Sequence, residues 1–184
     1  GLSSSPPEPY HEADLSIARC AADLDAVLDA AGVTGPIVLI GEELELPYER
    51  PPLSKGVLLG KDQIQVAQLH DRAWYDDNNV DLRLGSAVTA IDTGARKVTL
   101  ADGSEVEYDK LLIATGSAPF IIPVAGKDLP GVVTYRDLDD TNAMIAAARP
   151  GAKAVVIGGG LLGLEAAAGL ALRGMEVTVI HLMG

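Results

Sequence analysis

Gly158, Gly160 and Gly163 stand in the run VVIGGGLLGLE, residues 155–165, at the G-x-G-x-x-G spacing. The run follows a β-branched apolar segment and opens a helical one, which is the context that gives the spacing meaning. The first glycine permits a tight turn, the second lets backbone approach a pyrophosphate, and the third allows helix and strand to pack closely. A helix N-terminus placed there offers free N–H donors and roughly half a positive charge to phosphate oxygens. The plain alternative is a glycine-rich turn that binds nothing. Glu165 is the single charge between Ala154 and Leu172. A carboxylate in such a run needs a partner or a helix N-terminus to offset its desolvation. It either complements the helix dipole or pairs with a lysine that faces a cofactor. About 20 residues past the motif an acidic side chain is expected to hold a ribose, and the residue at that strand tip is His181. No arginine cluster for a 2′-phosphate accompanies it, so NADH is favoured over NADPH without being fixed.

The elements that must hold this turn are a strand over Ala154–Ile157, a helix over Leu161–Arg173 and a second strand over Val177–Ile180. Upstream, apolar residues at helical spacing with Asp23, Asp25 and Asp29 opposite predict an amphipathic helix over Asp14–Ala31, behind a Ser/Pro-rich tail. Ile37–Ile40 is a short β-branched run between Gly35-Pro36 and Gly41, suited to a buried parallel strand. A proline-containing loop, Leu46–Gly60, precedes a polar helical region around Asp62–Asn79. Ala87–Ile91, Val98–Leu100 and Val106–Tyr108, punctuated by Thr93-Gly94 and Asp102-Gly103, predict a three-stranded antiparallel meander. Leu111–Ala114 predicts another buried strand ending at Thr115-Gly116, and Asp139 or Asp140 caps a helix through Arg149. Strands alternating with helices place the chain in the α/β class, with a doubly wound parallel sheet.

The chain has 184 residues, with 14 Lys and Arg against 26 Asp and Glu, a net charge of −12. That charge repels phosphate backbones and anionic lipid, so neither nucleic acid nor a membrane surface is an expected partner. The one cysteine, Cys20, excludes a disulfide, a C-x-x-C pair or a Cys-rich metal site within these residues. Redox chemistry, if present, falls to an organic cofactor; no metal ligand set is expected. The apolar stretch Ala154–Leu172 is broken by consecutive glycines and reads as strand, turn and helix rather than as a membrane span. No basic and then apolar leader is visible, so the cytoplasm is the expected setting.

Three separated segments, LPYERPPLSK (46–55), YDKLLIATGS (108–117) and GGGLLGLEAA (158–167), resemble the two-dinucleotide FAD/NAD(P)H-dependent pyridine nucleotide oxidoreductases. The tracts GVVTYRDLDD (131–140) and GMEVTVIHLM (174–183) look most like the flavoprotein portion of NAD(P)H nitrite reductase large subunits, with rubredoxin and ferredoxin reductases as near neighbours. The resemblance implies an FAD/NAD(P)-binding Rossmann-like fold carrying an antiparallel meander. It implies hydride transfer from nicotinamide to FAD and electron transfer on to an acceptor, a redox protein among the candidates. By the same resemblance Glu42 or Glu43 binds the FAD ribose, and Arg50, Pro51 and Lys55 line the flavin side. Val88 and the Ala114-Thr115-Gly116 turn contact FAD, while Gly158, Gly160, Leu161, Leu162, Gly163 and His181 meet the nicotinamide nucleotide. Lys55 is implied to sit near the flavin ring, paired with Glu165, and these two are the implied catalytic residues. Read without the resemblance, the acids are a solvated loop, Arg50 and Lys55 are surface cations, and Thr115-Gly116 is a strand-ending turn.

Such proteins open with a strand–GxGxxG–helix unit for FAD, yet residues 2–31 contain no glycine. The expected organisation is an atypical tail and helix over 1–31, a partial FAD-binding domain over 32–118 and the beginning of an NAD(P)-binding domain over 119–184. That makes the chain a fragment, incomplete at both ends. The alternative function is a non-catalytic nucleotide-binding module or an inactive fragment.

Overall fold

The computed structural model describes Gly32 and residues 35–182, so the helix expected over Asp14–Ala31 lies outside the described residues. The chain divides into two compact units, one of Gly1–Glu45 with Asp71–Leu112, the other of Leu46–His70 with Ile113–Gly184.

In the first unit β1 (Ile37–Ile40) pairs in parallel with β2 (Val80–Arg83), Ile37 opposite Val80 through Ile40 opposite Arg83. Between them in sequence lies α1 (Arg72–Asp77), capped by Asp71, whose side chain accepts from Trp74 N–H at 2.9 Å. Tyr75 on this helix is buried, and desolvation raises its phenol pKa. The meander follows as β3 (Val88–Asp92), β4 (Lys97–Leu100) and β5 (Glu105–Glu107), in that spatial order and antiparallel. Aspartates close both of its turns. Asp92 Oδ1 accepts from Gly94 N–H at 2.9 Å and Ala95 N–H at 2.8 Å, and Asp102 Oδ1 accepts from Ser104 N–H at 2.9 Å. The Ser104 hydroxyl and amide hold the Asp102 carboxyl below its usual pKa. Across the strands Lys97 reaches Glu105 at 3.2 Å and Glu107 at 3.4 Å.

In the second unit the proline-containing segment folds into a π-helical turn, Leu53–Val57, in which Leu58 N–H donates to Leu53 O at 2.8 Å. A short 3₁₀ turn, Ile64–Ala67, follows it. Further on, α2 (Leu138–Ala147) begins at the N-cap Asp137, whose side chain accepts from Asp140 N–H. Then come β6 (Lys153–Ile157), α3 (Leu161–Leu172) and β7 (Glu176–Ile180), the two strands parallel with Lys153 opposite Glu176 and Ile157 opposite Ile180. Ala154, Val156 and Val177 turn one face of this pair onto a core of Leu58, Met144, Ala166 and Leu170. The approach is tight where α3 meets the π-turn: a Cβ on Gly169 would fall 2.7 Å from Leu58 Cδ2. Arg173, just past the helix, donates from Nε to Leu58 O at 2.6 Å and ties the two segments a second time.

The fold is thus mixed α/β with parallel and antiparallel sheets, as the sequence implies, and the meander and the strand–turn–helix–strand block form within a residue or two of their expected bounds. Three expectations need correction. Leu111–Ala114 forms no strand, because no described strand pairs with it, and Leu112 and Ile113 are 70% and 64% exposed. The helical region around Asp62–Asn79 breaks into the 3₁₀ turn and α1, since Gln68 is extended and bridges to Tyr48. α2 starts from Asp137 rather than Asp139 or Asp140 and ends at Ala147, before Arg149. No helix among the described residues is long and apolar enough to cross a membrane.

Candidate functional site

The turn between β6 and α3 assigns a different job to each glycine. Gly158 sits at φ 121°, a conformation side-chain-bearing residues avoid, and its N–H donates to Ile180 O at 2.8 Å, extending the ladder one step past the strands. Gly163 is a packing residue, since a Cβ there would lie 1.9 Å from Gly158 O. Gly160 is neither: its φ of −75° is ordinary, and a Cβ would meet nothing within 4 Å. The space it leaves is taken by no atom of the described residues. Gly160 is also the N-cap of α3, and no side chain caps the helix, so its first-turn N–H groups stay available to an anion. Such an arrangement is chemically able to take an anionic group. At its rim Gly159 N–H donates to Nδ1 of His181 at 3.1 Å.

The first turns of α3 serve a second place. Leu161, Leu162 and Glu165 form one wall of a cavity of about 310 Å³, facing Arg50, Pro51, Ser54 and Lys55 from the proline-containing segment. The π-turn places Ser54 inside and Lys55 outside: Ser54 is 4% exposed, while Lys55 is exposed. The Ser54 hydroxyl donates to Glu165 Oε2, so the one carboxylate of the α3 run has its partner. Lys55 and Glu165 share this cavity, but among the described residues no ion pair joins them. Arg50 donates to Arg136 O at 2.8 Å and lies 5.5 Å above the Tyr48 ring.

Tyr135 and Arg136 complete the lining, and neither is singled out by the sequence reading, although both stand in the tract TYRDLDD, residues 134–140. Asp140 fixes this corner by accepting from Arg136 N–H at 2.6 Å and from the Thr134 hydroxyl at 2.9 Å. The Arg136 guanidinium lies against Gly116, where a Cβ would come 2.7 Å from Nη2, so the Ala114-Thr115-Gly116 turn adjoins a cavity residue. Tyr135 Oη is closed off from water with no hydrogen-bond partner among the described residues. Desolvation pushes its pKa up to about 12; the nearby Thr141 hydroxyl draws it down and Glu165 adds to the rise. Thr141 donates instead to Asp137 O at 2.8 Å, which leaves the phenol without a partner among the described residues. Three cations, Arg50, Lys55 and Arg136, with the Glu165 carboxylate line a cavity suited to a polar, negatively charged ligand.

The remaining expected site residues lie in the first unit. Glu42 and Glu43 follow the C-terminal end of β1, where the loop is pinned by Gly41 N–H to Arg83 O and Gly85 N–H to Glu43 O, each at 3.0 Å. The C-terminal ends of parallel strands are where α/β sheets take ligands. Val88 opens β3 and is 42% exposed. Among the described residues no group of three or more His, Cys, Asp or Glu side chains could hold a metal ion.

Curated relatives of the chain are oxidoreductases by name. The chain is 44% identical over 160 residues to the NAD(P)H nitrite reductase of Bacillus subtilis (strain 168), covering 86% of this chain and 20% of that protein. It is 40% identical over 154 residues to the ferredoxin–NAD(+) reductase subunit of the benzene 1,2-dioxygenase system of Pseudomonas putida, covering 84% of this chain and 37% of that protein. Among solved structures, the covalent putidaredoxin reductase–putidaredoxin complex superposes with a TM-score of 0.74 at 35% identity, over 86% of this chain and 39% of that one. The chain therefore spans about a fifth to two-fifths of the length of these proteins. The family model matches residues 20–184, most of the chain: the chain belongs to the pyridine nucleotide-disulphide oxidoreductase family.

Proposed function

We propose that this chain is the dinucleotide-binding portion of an FAD-dependent NAD(P)H oxidoreductase that passes electrons to an acceptor of the nitrite reductase or the rubredoxin/ferredoxin reductase type. The observation that carries the reading is the double use of α3. Its uncapped N-terminus faces the open space at Gly160, and its next residues, through Glu165, wall the cavity that holds Arg50 and Lys55. A nucleotide on the turn and a ring in the cavity would then meet across a single helical turn.

When bound, the flavin supplies the hydride acceptor and the one-electron chemistry toward the acceptor. The protein's part is to bind, orient and stabilise charge. Gly158, Gly160, Gly163 and the first N–H groups of α3, with Leu161 and Leu162 beside them, take the nicotinamide nucleotide. Lys55, with Arg50 and the Pro51 backbone alongside, stabilises the negative charge that arrives with a hydride. Glu165, held by Ser54, is within the same cavity for Lys55 to engage when the cavity fills. Glu42 or Glu43 takes the FAD ribose, with Val88 and Ala114-Thr115-Gly116 as further contacts. NADH is favoured, supported by the NAD(+) in the name of the Pseudomonas putida relative. The names of the two relatives, one a nitrite reductase and one a ferredoxin reductase, support an acceptor of either kind. The single cysteine is in keeping with a cytoplasmic enzyme.

A second reading, a nucleotide-binding module without flavin, is favoured by the lack of any glycine over residues 2–31. The visible spectrum separates the two. The purified chain, as isolated or after incubation with FAD, is expected to show protein-bound flavin absorbing near about 450 nm and to bleach on adding NADH. A folded, colourless protein that takes up no FAD leaves only the module reading.

A further inference from the structure

The fingerprint leaves the residue between its first two glycines free, yet here it is a third glycine, and the structure gives the reason. A Cβ on Gly159 would lie 2.8 Å from Cγ and 3.0 Å from Cβ of His181. The imidazole is seated directly on the turn, and only a glycine beneath it leaves the room. Gly159 N–H donates to Nδ1 at 3.1 Å, so Nδ1 offers its lone pair and the ring proton stands on Nε2. His181 is exposed, and with Nδ1 committed to the turn its Nε2–H is the edge available to a ligand.

His181 follows β7 directly, about 20 residues past the glycines, where dinucleotide folds that select NADH place a carboxylate on the ribose 2′-hydroxyl. A carboxylate there does two things: it accepts from the hydroxyl, and it repels a 2′-phosphate. An imidazole presenting N–H does not repel a 2′-phosphate and can donate to it, and discrimination of this kind depends on the repulsive element.

We infer that His181 is a specificity-determining residue of the dinucleotide site: seated on Gly159, it presents a donor to the adenosine ribose in place of a carboxylate, and so admits NADPH alongside NADH. The inference rests on the reading of the glycine turn as a nicotinamide dinucleotide site. Calorimetric titration of the full chain with NADH and with NADPH tests it. The wild-type chain is expected to bind NADH the more tightly, with NADPH within tenfold of it. His181→Glu weakens NADPH at least tenfold and NADH less than threefold, and His181→Gln, which keeps a neutral donor, leaves the ratio within twofold of wild type. Wild-type discrimination greater than tenfold, or equal losses for both nucleotides in His181→Glu, would overturn the inference while leaving the dinucleotide site standing. Binding of neither nucleotide to the folded wild-type chain would remove both.

Discussion

Two stretches of this chain look alike as sequences and fold differently. Lys153–Ile157 with its glycine turn, and Leu111–Ala114 ending at Thr115-Gly116, are both short apolar runs that stop at glycine. The first is a strand because β7 lies parallel to it over all five residues and α3 covers one face through Ala166 and Leu170. The second has no described strand beside it and runs without a ladder. An apolar run supplies β propensity, but a parallel strand exists only where a neighbour accepts its N–H and C=O groups. In β6–α3–β7 that neighbour arrives within 30 residues, and the unit carries its own pairing information. The 111–117 segment instead finds its role through its glycine, which at φ 72° gives the Arg136 guanidinium room beside the turn.

The contrast can be broken most severely at Gly163. Alanine there places a Cβ against Gly158 O, and the helix must move off the turn, so Gly163→Ala is expected to lower stability by about 3 kcal/mol in urea denaturation. Unchanged stability would mean that β6 and α3 are not packed as described.

Tyr135 sharpens the picture of the cavity wall. Its folded pKa of about 12 exceeds the ordinary 10.0, so the folded form holds the phenol proton more tightly than the unfolded chain does. Stability from this group is intact below pH 10 and falls as the pH rises through 12, by on the order of 2 kcal/mol. Tyr135→Phe removes that fall, and at neutral pH it is neutral or slightly stabilising because the hydroxyl has no partner to lose. Parallel pH profiles for the two proteins between pH 10 and 12 would contradict the burial of Oη.

Gly116→Ala is expected to cost about 1 kcal/mol, from its positive φ and from displacing a side chain that can move. The smallest effect falls on the unpaired run: Leu112→Thr and Ile113→Thr each change stability by less than about 0.5 kcal/mol, as exposed residues outside a ladder should. A loss of several times that size would show that the run is paired after all.

What the sequence made legible follows the same division. The glycine turn, its flanking strands and helix, and both aspartate turns of the meander were readable because residues close in sequence determine them. β2 escaped notice because VDLR alternates apolar and charged residues over only four positions and its partner β1 lies some 40 residues earlier. The cavity was half legible. Arg50, Pro51, Lys55, Leu161, Leu162 and Glu165 all line it, but the residue that holds Glu165 is Ser54, a contact across 111 positions that no local pattern announces. Tyr135 and Arg136 are brought to the wall by Asp140, and Gly169 matters only because Leu58 packs on it. The Ser54–Glu165 and Gly169–Leu58 contacts depend on distant pairing, and the Asp140 contacts, though only four to six residues long, are side-chain bonds that composition and periodicity do not encode.

The central claim, that the β6–α3 turn holds a nicotinamide dinucleotide, has a clean probe in Gly160. A Cβ there meets no described atom within 4 Å and suits the existing backbone, so Gly160→Val is expected to keep the fold and to obstruct what approaches the turn. Calorimetric titration with NADH, with circular dichroism as the check on folding, is expected to show binding to the wild-type chain and at least tenfold weaker binding to Gly160→Val. Equal affinity for the two folded proteins would contradict the account.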